Sequence, residues 1–468
     1  MATGAARIEE YGDEGLERKL KDRHIQMIAI GGAIGVGLFL GSGPAIQRAG
    51  PGLIVSYALG GTAIFFMMRA LGEMALHQPV AGSFTSYAEE YVSPLAGFFT
   101  GWTYWGGWLV TGMAELTAAG IYVNYWWDIP QWIPALVFLL LLYGVNLISV
   151  ALFGEFEFWF AIIKVVTIVG IIILGLAVIL FGFGELGETA SFTNLWAEGG
   201  VFPAGFAEVL IVLQIVMFAY FGVELVGVTA GEAADPEKTL PSAINKVIWR
   251  ILIFYIGALI VIMSLVAWND LDPEGSPFVF VFDRIGLPAA AGVINFVVLT
   301  AALSSCNSGL FSTGRMMLTL ARFKQAPAGL GRLSSRHVPA RATTLSAAVL
   351  TIGVAINYFI PEKAFAYITA VSTVGALWTW TVIAMAHLGY RKAAREGRVE
   401  PPDRFLSPGY PYTNYFVIFF MAAVAILLLF DPETRVAWYV APFWVAAVLI
   451  GYRFMRSRQP PVPVSERG

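Results

Sequence analysis

Three charged side chains in this 468-residue sequence lie deep inside long apolar runs, away from their ends, where a charge is expensive and chemistry is the usual reason for keeping one. Lys164 is nine residues past Glu155 in such a run, roughly 14 Å along a helix at 1.5 Å per residue. That is too deep for its ammonium to snorkel to either surface of a bilayer. It can carry a proton, or stand as a fixed positive charge where another protein would hold Na⁺; the plainer reading is an ion pair with Glu115 or Glu224. Glu224 ends the run Phe218-Ala-Tyr-Phe-Gly-Val-Glu224, and Glu115 sits midway through Thr111-Gly-Met-Ala-Glu-Leu-Thr-Ala118. Either carboxylate can meet an ammonium, take a proton or satisfy a neighbouring helix. Ser304-Ser-Cys-Asn-Ser308 adds small polar groups that suit a cation or proton site beside Lys164, or close helix packing.

A fourth feature is backbone rather than side chain. Ile30 to Pro44 is apolar but carries glycines at 31, 32, 35, 37, 41 and 43, each costing a helix roughly 1 kcal/mol against alanine. A helix that breaks inside a membrane frees N–H and C=O groups, tolerated only where protein, water or a polar ligand satisfies them. The competing reading is close packing, since Gly31/Gly35 and Gly37/Gly41 have GxxxG spacing. A nucleotide-phosphate loop is excluded: the third glycine of GxGxxG is missing and no Lys-Ser/Thr follows.

The elements that must position these groups follow from composition. The chain is 57% hydrophobic and 13% charged, with a mean hydropathy of +0.71, which excludes an ordinary soluble domain. At about 20 apolar residues per crossing, twelve transmembrane helices are predicted near 25–46, 52–76, 95–126, 131–150, 155–182, 205–231, 242–267, 288–321, 340–360, 363–390, 412–430 and 435–455. The fold class is all-α and polytopic. Gly50-Pro51-Gly52, Asp128-Ile-Pro130 and Asp431-Pro432-Glu433 are firm turns. The break near Gly35 and the second at Phe218–Glu224 lie five crossings apart. That offset suits a 5+5 inverted repeat, 25–182 and 205–390, with discontinuous helices 1 and 6 meeting at the midplane and two extra helices at 412–455.

With the N-terminus inside, 22 of the 29 lysines and arginines fall on the cytosolic side, including the group from Lys238 to Arg250. Both termini are therefore expected in the cytosol. Residues 1–24 read as a cytosolic tail without a cleavable signal, and 456–468, rich in proline, as a disordered one. Trp126, Trp127 and Trp132 suit an interfacial aromatic belt. Arg69 and Glu73, one turn apart, and Arg315 suit gating or structural pairs. Cys306 is the single cysteine, so no intrachain disulfide forms. The four histidines, His24, His77, His337 and His387, fall at cytosolic ends, and no His-Glu-x-x-His, Cys-x-x-Cys or Ser/His/Asp grouping supports an enzyme.

Several long motifs in order carry a resemblance: Gly31-Gly-Ala-Ile-Gly-Val-Gly-Leu-Phe-Leu-Gly-Ser-Gly43, Arg69-Ala-Leu-Gly-Glu-Met74, Gly154 to Lys164, Asp235-Pro-Glu-Lys-Thr-Leu-Pro241 and Asn307-Ser-Gly-Leu-Phe-Ser312. From about His24 to Arg453 the chain resembles the bacterial amino acid transporters of the amino acid-polyamine-organocation superfamily. Gly101-Trp-Thr-Tyr-Trp105 and Gly286-Leu-Pro-Ala-Ala290 look most like the D-serine/D-alanine/glycine permease, whereas Ala114 to Tyr122 is closer to the aromatic permeases. The resemblance implies a proton-coupled symporter of the bacterial cytoplasmic membrane, importing small neutral amino acids by alternating access. Aromatic or γ-aminobutyrate transport, or amino acid/polyamine exchange, are the alternatives. The expected partners are an amino acid, protons and lipid, with no cofactor and no nucleic acid.

On this reading the substrate carboxylate meets backbone N–H groups at Ala33, Ile34, Gly35, Val36 and Gly37, since half-helix N-termini favour anions. The ammonium and side chain meet Phe218, Ala219, Tyr220, Phe221, Glu224 and Glu115. Lys164 and Glu224 couple protons, and Ser304 and Ser305 replace a cation site. Val36 stands where the family usually has threonine, which leaves backbone binding intact and removes a hydroxyl contact.

Overall fold

The computed structural model describes residues 34–79, 82–148, 150–228, 235–271, 275–286 and 288–457, together with Met27. Ala33 and the glycines at 31 and 32 lie outside the described residues, as do residues 1–24 and 458–468. Among the described residues every regular element is helical.

The helices are α1 (Val36–Phe39), α2 (Ser42–Ala49), α3 (Leu53–His77), α4 (Ser83–Tyr91), α5 (Pro94–Asn124), α6 (Trp132–Asn146) and α7 (Val150–Phe181), followed by α8 (Phe206–Ile211), α9 (Leu213–Tyr220) and α10 (Leu225–Val228). Next come α11 (Pro236–Asn245), α12 (Val247–Arg250), a π-helical stretch Ile251–Gly257, α13 (Ala258–Leu265) and α14 (Pro277–Arg284). The last five are α15 (Pro288–Arg322), α16 (Ala340–Phe359), α17 (Pro361–Arg395), α18 (Tyr412–Leu427) and α19 (Val436–Ser457). Among the described residues eight helical stretches have the length and apolar composition to cross a membrane, and two shorter ones, Trp132–Asn146 and Tyr412–Leu427, are predominantly apolar.

Local chemistry sets many of the ends. Ser93 accepts a hydrogen bond from the Ala96 N–H at 3.1 Å and is followed by Pro94, and Asp235 accepts from the Lys238 N–H at 3.3 Å and is followed by Pro236. Each side chain satisfies one orphan donor, and each proline occupies a position whose N–H would go unused. The break expected at Phe218–Glu224 is present. The helix stops at Tyr220, Phe221 turns extended with ψ 136°, and Gly222 takes φ +102°, a conformation that glycine alone adopts without strain.

α5 runs through the centre, packed most extensively against α15 and α17. α9 lies against α1, α3 and α17. The aromatic interior includes Trp108, Trp380, Tyr57, Tyr104, Tyr220 and Tyr255, all essentially without exposed surface.

Three details depart from the sequence reading. The amphipathic α4 and the short α14 were not anticipated, because nine- and eight-residue helices lack the apolar length that marks a crossing. Arg250, counted among the cytosolic cations, is 3% exposed and enclosed near Tyr220, Tyr255 and Glu224. The final helix continues to Ser457, so Arg456 and Ser457 are helical rather than part of a tail.

Candidate functional site

Gly35 is extended (φ −125°, ψ −156°) and α1 begins at Val36. The glycines there allow backbones to touch. A Cβ on Gly37 would lie 2.5 Å from Ala219 Cα and 2.9 Å from its nitrogen, so the two interrupted segments meet chain to chain. The Val36 side chain is fully buried, and its contribution to the site is its N–H.

That N–H donates to Glu115 Oε2 at 3.4 Å. Glu115 is carried by α5, is 2% exposed, and hydrogen-bonds Ser305 of α15. A Cβ on Gly35 would meet Glu115 Oε1 at 2.6 Å and Ser305 Oγ at 3.1 Å, so the carboxylate lies directly against the extended turn. Beside it is a narrow cavity of about 10 Å³, room for about one water, lined by Gly35, Gly37, Thr111, Glu115, Phe218, Ala219, Phe221 and Ser305. Phe221 stacks on Trp108 with ring centroids 4.8 Å apart, which fixes one wall. Thr111 bonds the Ser372 hydroxyl at 2.5 Å and the Gly107 carbonyl at 2.9 Å. Cys306 is buried one residue beyond Ser305, its thiol 3.9 Å from the Gly112 carbonyl.

Lys164 is completely buried, and the carboxylates within electrostatic reach of it are Glu157 and Glu115. Glu157, on the same helix two turns earlier, is also buried and accepts a hydrogen bond from Ser304 at 2.7 Å. Sequence reasoning missed Glu157, treating it with Glu155 as the start of a crossing. Its i, i+7 spacing from Lys164, which puts both on one face of α7, was the available signal.

Glu224 belongs to a different cluster and does not pair with Lys164. Its Oε2 accepts from the Gly222 N–H at 3.2 Å and Trp380 Nε1 at 3.1 Å, and Tyr104 hydrogen-bonds the same carboxylate. The carboxylate thus closes the turn that breaks α9 from α10. Neither Glu224 nor Tyr220 lines the cavity. Tyr220 instead donates to the Tyr57 carbonyl at 2.8 Å. One carbonyl at the end of α9 is also taken, since the Tyr255 hydroxyl donates to Ala219 O at 3.1 Å. The structure therefore brings together Gly35, Val36, Gly37, Phe218, Ala219, Phe221, Glu115 and Ser305, joins Lys164 and Ser304 to them through Glu157 and Glu115, and sets Glu224 and Tyr220 apart. Ile34 is buried upstream of the turn and outside the cavity lining.

A family model described as amino acid permease matches residues 24–462. This chain belongs to the amino acid permease family. The permease is similar to proteins of Bacillus subtilis (strain 168) named uncharacterized amino acid permease YtnA, 51% identical with 93% of this chain and 94% of that one covered, and probable threonine/serine transporter YbxG, 47% identical over the same shares. It is similar as well to the aromatic amino acid transport protein AroP of Escherichia coli (strain K12), 44% identical with 95% of this chain and 97% of that one covered. The permease is thus a transporter and not an enzyme, and the buried charges of its interior are to be read in those terms.

Proposed function

We propose that this permease is a proton-coupled symporter that imports small neutral amino acids across the bacterial cytoplasmic membrane by alternating access, with both termini in the cytosol. The observation that carries this reading is Lys164, fully buried between Glu157 and Glu115 and linked through Glu115 to the cavity between the two interrupted segments. A titratable group that shares a carboxylate with the binding turn can bias inward against outward states only if its two protonation states favour them differently. Twelve crossings arranged as two inverted five-helix repeats plus two helices fit the helix boundaries and the breaks in helices 1 and 6.

The substrate carboxylate meets the N–H groups at Gly35, Val36 and Gly37, and Phe218, Ala219, Phe221 and Thr111 surround the side chain. The cavity is about 10 Å³, far below the roughly 300–1,000 Å³ of ordinary ligand pockets, so its walls must part to admit any substrate. Ser304 and Ser305 stand with Lys164 in place of a cation site. The likeness to AroP and the aromatic wall favour a second reading, transport of aromatic amino acids, in which the cavity opens further to receive a ring.

Two measurements test these readings. Proteoliposomes holding the Lys164→Ala variant should fail to accumulate substrate on a pH gradient, and accumulation at the wild-type level ends the coupling role. Competition of unlabelled glycine, D- and L-alanine, D-serine, threonine, phenylalanine and γ-aminobutyrate against labelled uptake separates the two substrate classes.

A further inference from the structure

We propose that Glu115 is a self-ligand of the binding turn: its carboxylate occupies the Val36 N–H that a substrate carboxylate must take, and substrate binds by pushing it aside toward Lys164. The proposal rests on the function given above, and it reverses the role that sequence alone suggests for Glu115, which was to meet the ammonium.

Three features of the geometry lead there. An ammonium partner would keep its oxygens free toward the cavity, whereas Glu115 Oε2 accepts from the Val36 N–H, a donor expected to serve the substrate. The contact is long at 3.4 Å, beyond the 2.7–3.2 Å usual for N–H···O bonds, so the group sits in place without being tightly held. And Glu115 has other partners to fall back on: Ser305 hydrogen-bonds it and Lys164 faces it, so a displaced carboxylate keeps a hydroxyl and a cation. The groups facing Glu115 are then the Val36 N–H from α1, Ser305 and Cys306 from α15, Lys164 from α7 and Tyr122 from its own helix. Displacement toward Lys164 changes that lysine's charge environment with every binding event, which gives substrate occupancy a direct mechanical link to the buried cation.

The test is the sign of an affinity change. Binding of labelled alanine, threonine and phenylalanine to the purified full-length permease is measured for wild type, Glu115→Gln and Glu115→Ala, with ethylamine as a competitor that lacks a carboxylate. If the self-ligated state predominates by an order of magnitude, its removal in Glu115→Ala tightens amino acid binding about tenfold and leaves ethylamine competition unchanged. Glu115→Gln, which keeps the shape and one acceptor oxygen, tightens it less and serves if the alanine variant does not fold. Weaker amino acid binding in either variant, or no change in both, overturns the proposal. Failure of wild type to bind any of the three amino acids counts against the function proposed above instead, and leaves the sign of the effect to be read with whichever ligand the transport competition identifies.

Discussion

Glu73 and Arg391 form a two-point ion pair, with Arg391 Nε 2.6 Å from Glu73 Oε1 and Nη2 donating to Oε2 at 3.0 Å, and the carboxylate has no exposed surface. The same carboxylate accepts the Ser407 N–H at 2.6 Å and lies 3.1 Å from His387 Nε2. α3 is thereby fastened to α17 and to the chain that follows it. Arg69, one turn earlier, points elsewhere: its guanidinium donates to Asn245 at 2.9 Å and the Leu406 carbonyl at 2.7 Å, and lies 3.7 Å over the Phe405 ring. Two residues whose spacing suggested a mutual pair instead hold different partners.

Replacing Glu73 with alanine leaves Arg391 and the Ser407 N–H without their acceptor. Removing one member of a buried ion pair costs about 3–5 kcal/mol. Glu73→Ala should therefore lower the melting temperature of the purified permease sharply, and Glu73→Gln, which keeps an acceptor for Ser407, should fall between. Equal melting temperatures for all three would show that the pair adds nothing.

The Glu157 and Lys164 pair yields to a double-mutant cycle. Glu157→Gln and Lys164→Met each leave a partner behind in the interior and should each destabilise the fold by roughly 3 kcal/mol, while the double variant recovers part of the loss. Proton-driven uptake should stay absent in every variant lacking Lys164, recovered stability notwithstanding. Thermal unfolding and uptake measured on the same preparations separate the two effects.

Gly37→Ala forces a methyl group to within 2.5 Å of the Ala219 backbone, where no flexible side chain can give way. Uptake should fall to background even if the protein reaches the membrane. Gly170→Ala on α7 is the control: nothing lies within 4 Å of the new methyl, so it should be neutral or stabilise that helix by about 1 kcal/mol. Loss of uptake in both would point to a general intolerance of helix changes instead of contact at the turn.

Phe221 is held by Trp108 and closes one side of the cavity. Phe221→Ala should enlarge the space and shift the competition profile toward bulkier side chains, with phenylalanine gaining relative to alanine by about an order of magnitude if a few apolar contacts decide the preference. An unchanged profile would mean that side-chain selection happens elsewhere.

Much of this architecture was legible before any coordinates, for reasons that vary by element. Long apolar runs must be helical in lipid, so α3, α5, α7, α15 and α17 could be read from length alone. The break after Tyr220 was visible because an aromatic cluster met a glycine and a charge inside such a run. Lys164 declared itself by depth. Glu157 did not, because near the end of an apolar run a carboxylate resembles an ordinary interfacial charge until its face is known. The direction in which Glu224 and Glu115 point depends on packing between distant segments, which spacing along one helix cannot supply.

Cys306 is the only thiol in the chain, and it is buried one residue beyond Ser305, which lines the cavity. The sequence thus carries a single reporter next to the site, with no engineered background. Its rate of alkylation by a small membrane-permeant reagent is a clock for how often the interior opens, and protection by a bound amino acid would read out occupancy in unmodified protein.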